Sequence, residues 1–257
     1  MRIFSIIVLV MALITLAACK TSEPFAAYKG ASAQTIFQNG ENSLARGHYE
    51  AAVKSFEALD ALYPFGDYSQ QGQLDIIYAY YKKGDAESAL AAADRYIRLY
   101  PRDPNVDYAF YMKGLINMGP SDSWIEKTAR SELSQRDLTN MQQAFADFNL
   151  LIQRFPNSRY VPDARTRMIY IRNLLAQHQL EVAQYYMNYK AYVAAANRAN
   201  SVVQDYPASP QIIPALAIMV QAYRALGEND MANNALQVLR ANYPNSKEAK
   251  QLGTASK

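Results

Sequence analysis

The stretch GHYEAAVKSFEALDALYPFG, residues 47–66, determines the fold class, because it contains a turn, an amphipathic helix and a helix stop in one segment. Gly47 suits the turn, and Ala52 and Phe56 lie one helical turn apart. Tyr63-Pro64 ends the helix, since the residue before a proline is pushed out of the α region. Four more aromatic–proline pairs follow along the chain: Tyr100-Pro101, Phe155-Pro156, Tyr206-Pro207 and Tyr243-Pro244.

Three further positions recur at fixed distances before these prolines. Small or apolar residues stand 12 and 8 residues before each proline: Ala52, Ala89, Ala144, Ala195 and Ala232, then Phe56, Ala93, Phe148, Ala199 and Leu236. The predicted turns stand 17 residues before each proline: Gly47, Gly84, Thr139, Lys190 and Gly227. This pattern resembles the tetratricopeptide repeat, a helix–turn–helix unit of about 34 residues. It predicts an all-α solenoid of about five repeats, in which stacked helix pairs form a superhelix with a concave face.

The proline spacings of 37, 55, 51 and 37 residues divide this solenoid. The second interval is long because of residues 119–137, which we expect to form a loop and a short helix. The third interval contains no Gly or Pro at its extra residues, which predicts one long or kinked helix. That helix would separate two half-superhelices, with repeats 1–3 at 33–158, the long helix with repeats 4–5 at 159–247, and a tail at 248–257.

The N-terminus resembles a bacterial lipoprotein signal. After Arg2, an uncharged apolar run over residues 3–18 leads into Leu-Ala-Ala-Cys, and Cys19 is the only cysteine. We therefore expect a signal peptide at 1–18, a covalent lipid on Cys19 and a tether over 19–32, with an ordinary secretory signal as the alternative. Lys20 after the cysteine favours the outer membrane, by resemblance to Gram-negative lipoproteins.

The composition excludes several classes of function. A net charge of +3 is too small to predict nucleic-acid binding. One cysteine and two histidines leave little for a metal site or an internal disulfide. Since the sequence also has no nucleotide-binding or hydrolase motif, we expect no enzyme, no metal and no cofactor other than the lipid.

A peptide-binding groove is expected on the concave face, which is formed by the first helix of each repeat. The candidate residues are mostly aromatic: Phe37, Gln71, Leu74, Tyr78, Tyr81, Tyr108 and Tyr111. Tyrosine suits an extended peptide because it combines a large apolar ring, few rotors and a hydroxyl group. The alternative is that most of these tyrosines pack between repeats.

Four stretches resemble the BamD family of lipoproteins of the outer-membrane β-barrel assembly machinery: 57–82, 98–115, 144–160 and 189–199. The resemblance implies a periplasm-facing scaffold, lipid-anchored in the outer membrane, whose partners are BamA and the other Bam lipoproteins. It implies that the N-terminal repeats bind targeting segments of unfolded β-barrel proteins and that the C-terminal repeats bind BamA. Arg198 matches a family position associated with an acidic BamA partner. The alternative function is a general scaffold for cell-division or peptidoglycan enzymes.

Overall fold

The helices of the chain follow the repeat pattern closely. The computed structural model describes residues 25–119 and 135–254, which contain eleven α-helices, one 3-10 turn at Ala26–Tyr28 and no strand. The helices are α1 (Ala33–Ala45), α2 (Tyr49–Leu62), α3 (Asp67–Lys83), α4 (Ala86–Leu99), α5 (Val106–Met118), α6 (Gln135–Arg154), α7 (Val161–Asn188), α8 (Tyr192–Asp205), α9 (Ile212–Leu226), α10 (Asn229–Asn242) and α11 (Lys247–Thr254).

Every aromatic–proline pair ends a helix, as predicted. The helices α2, α4, α6, α8 and α10 each stop at the residue before the aromatic one. The aromatic residue still closes the last turn: the amide of Tyr63 donates to the carbonyl of Leu59 at 2.9 Å, and that of Tyr243 to Leu239 at 2.8 Å. Proline then ends the helix because it has no N–H to donate and restricts the residue before it.

The second helix of each repeat buries a stripe of three positions. The alanines 12 residues before proline and the residues 8 before it are all buried, as the pattern predicts. The structure adds a third buried position, five residues before proline: Leu59, Tyr96, Leu151, Val202 and Leu239. Spacings of four and three residues place the three positions on one helical face, which is the face turned into the core.

Glycine allows the closest contact between paired helices. In α1, a Cβ added at Gly40 would lie 2.5 Å from Cε1 of Phe56 on α2. In α5, a Cβ added at Gly114 would collide with the ring of Phe148 on α6. Each of these two phenylalanines therefore packs on bare helix backbone, and a larger residue in place of the glycine would separate the helices.

Four of the five predicted turn residues adopt the left-handed conformation. Gly47, Gly84 and Gly227 have φ of 74°, 87° and 80°, and Lys190 has φ of 58° without being glycine. In each case the following residue donates its amide to a carbonyl five residues back, as Asp85 does to Tyr80 at 3.0 Å. This bond is the helix-ending Schellman motif, which needs a residue at positive φ.

Thr139 is the exception, because it lies inside α6 rather than in a turn. The prediction of a turn there was wrong, since α6 has 20 residues and begins upstream of Thr139. The loop and short helix expected at 119–137 lie mostly outside the described residues. Within that range, Gly119 follows the end of α5, and residues 135–137 belong to α6.

The described residues form two compact units, one ending at Asp85 and the other beginning at Ala86. In the first unit, α1, α2 and α3 pack on one another. In the second, α7 packs against α6 as well as against α8 and α9. The long helix expected in the third interval is present, with 28 residues. It lies inside the second unit, whereas the sequence places the division of the chain between residues 158 and 159.

Part of the predicted tether is packed against the first repeat. Phe25, Tyr28 and Ala31 contact the cluster that contains Ile36 and Leu59. The hydroxyl group of Tyr63 donates to the carbonyl of Ala31 at 2.7 Å, and the hydroxyl groups of Tyr28 and Ser55 lie 3.1 Å apart. Residues 25–31 of the predicted tether are therefore packed against the protein. Residues 19–24 and the predicted signal peptide lie outside the described residues.

We expect Gly40→Ala to destabilise the protein by about 1–3 kcal/mol, the usual cost of overpacking a core. Helix propensity alone favours alanine over glycine by about 1 kcal/mol, so a loss of stability would identify the contact with Phe56 as its cause. Urea unfolding measures the effect, and Asn39→Ala, at an exposed position of the same helix, is the control.

The variant Phe56→Leu provides the second half of the test. In the Phe56→Leu background, Gly40→Ala should lower the free energy of unfolding clearly less, because the side chain that meets the new methyl group is smaller. If Gly40→Ala lowers the free energy of unfolding equally in both backgrounds, the contact with Phe56 is not the cause of the destabilisation.

Candidate functional site

The first compact unit contains five of the predicted peptide-binding residues, on α1 and α3. Gln71 and Tyr78 are exposed, Tyr78 to 37%. Phe37 and Tyr81 are half-buried. Leu74 is only 5% exposed, so it packs in the core and presents no surface to a ligand, contrary to expectation.

Tyr68, at the start of α3, also lies beside these residues and was not among the predicted site residues. It is 39% exposed, and its ring lies 5.6 Å from the ring of Phe37 on α1. Tyr68, Gln71, Asp75 and Tyr78 follow one face of α3 at spacings of three and four residues. That spacing was visible in the sequence and could have identified Tyr68. We call Phe37, Tyr68, Gln71, Asp75 and Tyr78 the α1/α3 surface.

Asp75 gives the α1/α3 surface a carboxyl group that titrates near neutrality. Burial raises the pKa of Asp75 to about 7, against the opposing effect of hydrogen bonds from Gln71, and the nearby carboxylate of Glu41 raises it further. Nε2 of Gln71 donates to both oxygens of Asp75, at 2.9 and 3.1 Å. Burial also raises the pKa of Glu41. Near pH 7 the Asp75 carboxyl group is thus able to accept hydrogen bonds when ionised and to donate one when protonated.

Tyr108 and Tyr111 belong to the second compact unit, where they are part of a network between α5 and α7. The Tyr111 hydroxyl group donates to Oδ2 of Asp163 at 2.5 Å, and Nε of Arg167 donates to the same oxygen at 2.5 Å. The Tyr111 ring stacks on Tyr160 with centroids 4.7 Å apart, and the Tyr108 ring lies 5.6 Å from Tyr160. Burial and the hydrogen bond to Asp163 raise the pKa of Tyr111 to about 12. This tyrosine is therefore fixed by its own protein, unlike Tyr78.

Arg198 lies on α8 with its side chain in solvent. It donates one hydrogen bond, from Nη1 to Oε1 of Gln179 at 3.2 Å, and no carboxylate in the described residues forms an ion pair with it. It borders a depression of about 360 Å³ whose other lining residues are Tyr186, Ala194, Asn197 and Ser201. A guanidinium group with unused donors beside a depression suits an anionic partner group.

Exposed aromatic residues lie close to Arg198 in the sequence and on neighbouring helices. Tyr185 is 55% exposed and Tyr189 is 70% exposed, and their rings lie 4.6 Å apart. Val193, in the first turn of α8, is 61% exposed. A group of exposed apolar residues is typical of a protein-binding surface. The sequence alone does not indicate these residues, because their exposure depends on how α7 packs against α8.

Two kinds of site are absent from the described part of the chain. Residues 25–119 and 135–254 contain no cluster of three or more His, Cys, Asp or Glu side chains able to bind a metal ion. Over the same ranges, no helix combines the length and the apolar character that crossing a bilayer requires.

Comparison with known proteins adds a family to this geometry. The YfiO family, described as "Outer membrane lipoprotein", matches residues 29–239. The chain belongs to this family. YfiO-family relatives include outer membrane protein assembly factor BamD of Xylella fastidiosa strain Temecula1, 37% identical over 92% of this chain and 81% of that protein. BamD of Neisseria meningitidis serogroup B is 39% identical over 86% and 82% of the two chains. BamD of Vibrio cholerae is 37% identical over 80% and 86%.

Membership of the YfiO family confirms two expectations from the sequence. The stretches that resemble BamD lie within a match that extends over most of the chain, and the family is one of outer membrane lipoproteins. The YfiO-family relatives are named as assembly factors rather than as enzymes, in agreement with the prediction that no catalytic site is present.

The raised pKa of Asp75 makes the stability of this YfiO-family chain depend on pH. The pKa of Asp75 is about 7 in the folded state, well above the ordinary aspartate value of 3.8. The folded state therefore holds the proton more tightly than the unfolded chain does, and stability falls as pH rises between these values. We expect Asp75→Asn to unfold at higher urea concentration than the wild type at pH 8. The difference should shrink steadily as the pH is lowered towards 4.

Urea unfolding at a series of pH values measures this difference, with Asp67→Asn as the matched control, since Asp67 is exposed on the same helix. A gain from Asp75→Asn that stays constant across the series would contradict burial of an ionisable Asp75.

Proposed function

We propose that this protein is an assembly factor for outer-membrane β-barrel proteins, attached to the membrane by a lipid on Cys19 and facing the periplasm. The observation that carries the proposal is 37–39% identity to proteins named outer membrane protein assembly factor BamD, over at least 80% of both chains in three organisms. The match therefore includes both compact units. A general scaffold for envelope enzymes would share the helical repeats but would not require this similarity.

The α1/α3 surface is the proposed binding site for targeting segments of unfolded barrel proteins. Such segments are extended and alternate aromatic or apolar residues with polar ones. Phe37, Tyr68 and Tyr78 offer aromatic rings, while Gln71 and Asp75 offer hydrogen-bonding groups to an extended backbone. Main-chain hydrogen bonds combined with aromatic contacts are a recurring mode of peptide recognition. Tyr108 and Tyr111 remain candidates in the second unit, although the Tyr111 hydroxyl group is already hydrogen-bonded to Asp163 and its ring stacks on Tyr160.

Photo-crosslinking tests this assignment. A benzophenone amino acid in place of Tyr78 should form adducts with a peptide that carries the C-terminal segment of a barrel protein. The same probe in place of Tyr189, which is more exposed but lies in the second unit, is the control and should give few adducts.

Competition by an unlabelled peptide should remove the Tyr78 adducts, whereas a peptide with its aromatic residues changed to serine should not. Equal labelling at Tyr78 and Tyr189, or no labelling at Tyr78, would contradict a client site on the α1/α3 surface.

Arg198 is the proposed contact for an acidic group of BamA. An exposed ion pair contributes little, about 0–1 kcal/mol, so a large effect requires that the pair become buried when the partner binds. The depression beside Arg198 and the apolar side chains of Tyr185 and Val193 supply a surface that would be covered in a complex.

We expect Arg198→Glu to reduce the amount of BamA that co-purifies from gently solubilised envelopes by at least about tenfold, since it replaces an attraction by a repulsion. Arg165→Glu is the matched control, because Arg165 is also an exposed arginine of the second unit. Retention of BamA by Arg198→Glu would exclude this contact. Recovery of peptidoglycan synthases without BamA by the wild type would instead support the general scaffold.

A further inference from the structure

The connection between α2 and α3 exposes more apolar surface than any packing role requires. Phe65 is 89% exposed, Leu62 is 40% exposed and Tyr63 is 36% exposed. Gly66, with φ of 108°, turns the chain directly after Phe65, a conformation that a residue with a side chain rarely adopts. We call residues 62–66 the Phe65 loop. Its central aromatic ring has almost no protein around it.

The Phe65 loop lies beside the N-terminal segment of the described chain. Tyr63 donates its hydroxyl hydrogen bond to the carbonyl of Ala31 at 2.7 Å. Phe25 and Tyr28 pack on the cluster that contains Leu59, one helical turn before Leu62. The first described residues are therefore fixed against the end of the helix that leads into the loop.

Only a short piece of chain separates this segment from the lipid proposed on Cys19. Phe25 follows Cys19 by six residues, which span at most roughly 21 Å when fully extended. The lipid chains insert into the bilayer, so this length limits how far the N-terminal segment lies from the membrane surface. The Phe65 loop, which contacts that segment through Tyr63, is held in the same zone.

We propose that the Phe65 loop inserts into the interfacial region of the lipid bilayer as a second membrane contact beside the acyl chains. This inference rests on the lipid attachment included in the proposed function. Aromatic and aliphatic side chains suit the interface because their rings and methyl groups leave water while polar groups stay among the headgroups.

The form of the loop favours a bilayer over a peptide as its occupant. Peptide and ligand sites surround their ligand with protein walls, and a ring that is 89% exposed has no such walls beside it. A bilayer needs only a protruding apolar side chain. The carboxylate of Asp67 follows directly in the first turn of α3 and limits the insertion to the headgroup level.

Site-directed spin labelling of the full lipidated chain tests the proposal. Cys19 is the only cysteine, and its sulfur is blocked by the lipid, so Phe65→Cys supplies a single reactive thiol for a nitroxide. The labelled protein is placed in vesicles of phosphatidylethanolamine and phosphatidylglycerol, and collision rates with oxygen and with a water-soluble nickel chelate are compared. Tyr78→Cys, in the same compact unit, is the control.

We expect the ratio of oxygen to nickel collision rates at position 65 to exceed that at position 78 several-fold in vesicles. In detergent-free buffer the two ratios should be similar for the unlipidated mature chain, in which Cys19→Ser removes the thiol that the lipid would otherwise block. Because Phe65 is so exposed, the label should leave the thermal unfolding midpoint unchanged, and circular dichroism checks this.

Two results would overturn the inference in distinguishable ways. A label at position 65 that remains water-accessible on vesicles, in a protein whose acyl chains are confirmed by mass spectrometry, excludes the membrane contact alone. If that label becomes immobile only when a barrel-protein peptide is added, the loop is a client contact instead. If mass spectrometry finds no acyl chain on Cys19, the lipid anchor and the membrane contact fail together.

Discussion

In the first, third and fourth repeats, the close contact between paired helices lies eight residues before the proline. In the first and third repeats a phenylalanine at this position, Phe56 or Phe148, packs on bare glycine backbone. In the fourth repeat Ala199 occupies the position and is buried in the same cluster as Ala183 on α7. A phenylalanine on glycine and an alanine with another alanine both allow the helix axes to lie close together, since the distance between the axes depends on the side chains at the contact. Close contact at this position limits how α1, α5 and α7 can rotate against their partners, and so which of their residues reach the surface.

The exposed residues of α3 and α5 differ in the groups that they offer to a ligand. On α3, Tyr78 is open to solvent, and Gln71 and Asp75 hydrogen-bond to each other. On α5, the Tyr111 hydroxyl group is already committed to Asp163, which also accepts from Arg167. Both helices present aromatic rings, but the Tyr78 ring is exposed, whereas the Tyr111 ring is held by its hydrogen bond to Asp163. An exposed tyrosine such as Tyr78 suits segments of varied sequence, because its ring can change rotamer to meet different side chains.

The sequence was sufficient for the features that depend on local chemistry. Aromatic–proline stops and left-handed turn residues act on their own neighbours, so the five helix ends and four turns were predictable. Leu74 was misplaced because α3 packs against both α1 and α2, which buries a wider arc of the helix than an amphipathic pattern implies. The packing of residues 25–31 could not be anticipated either. It depends on hydrogen bonds to Ser55 and Tyr63, which are 27 and 32 residues away from their partners.

The length of α7 changes how this part of the chain should unfold. In a regular repeat array each unit touches only its neighbours, so stability is a sum of local terms and end repeats can fray one at a time. With 28 residues, α7 is about 42 Å long at 1.5 Å per residue, and it packs on α6 as well as on α8 and α9. Loss of α7 would remove its contacts with the third, fourth and fifth repeats together. We therefore expect these three repeats to unfold together, so that their core amides share similar protection against hydrogen exchange.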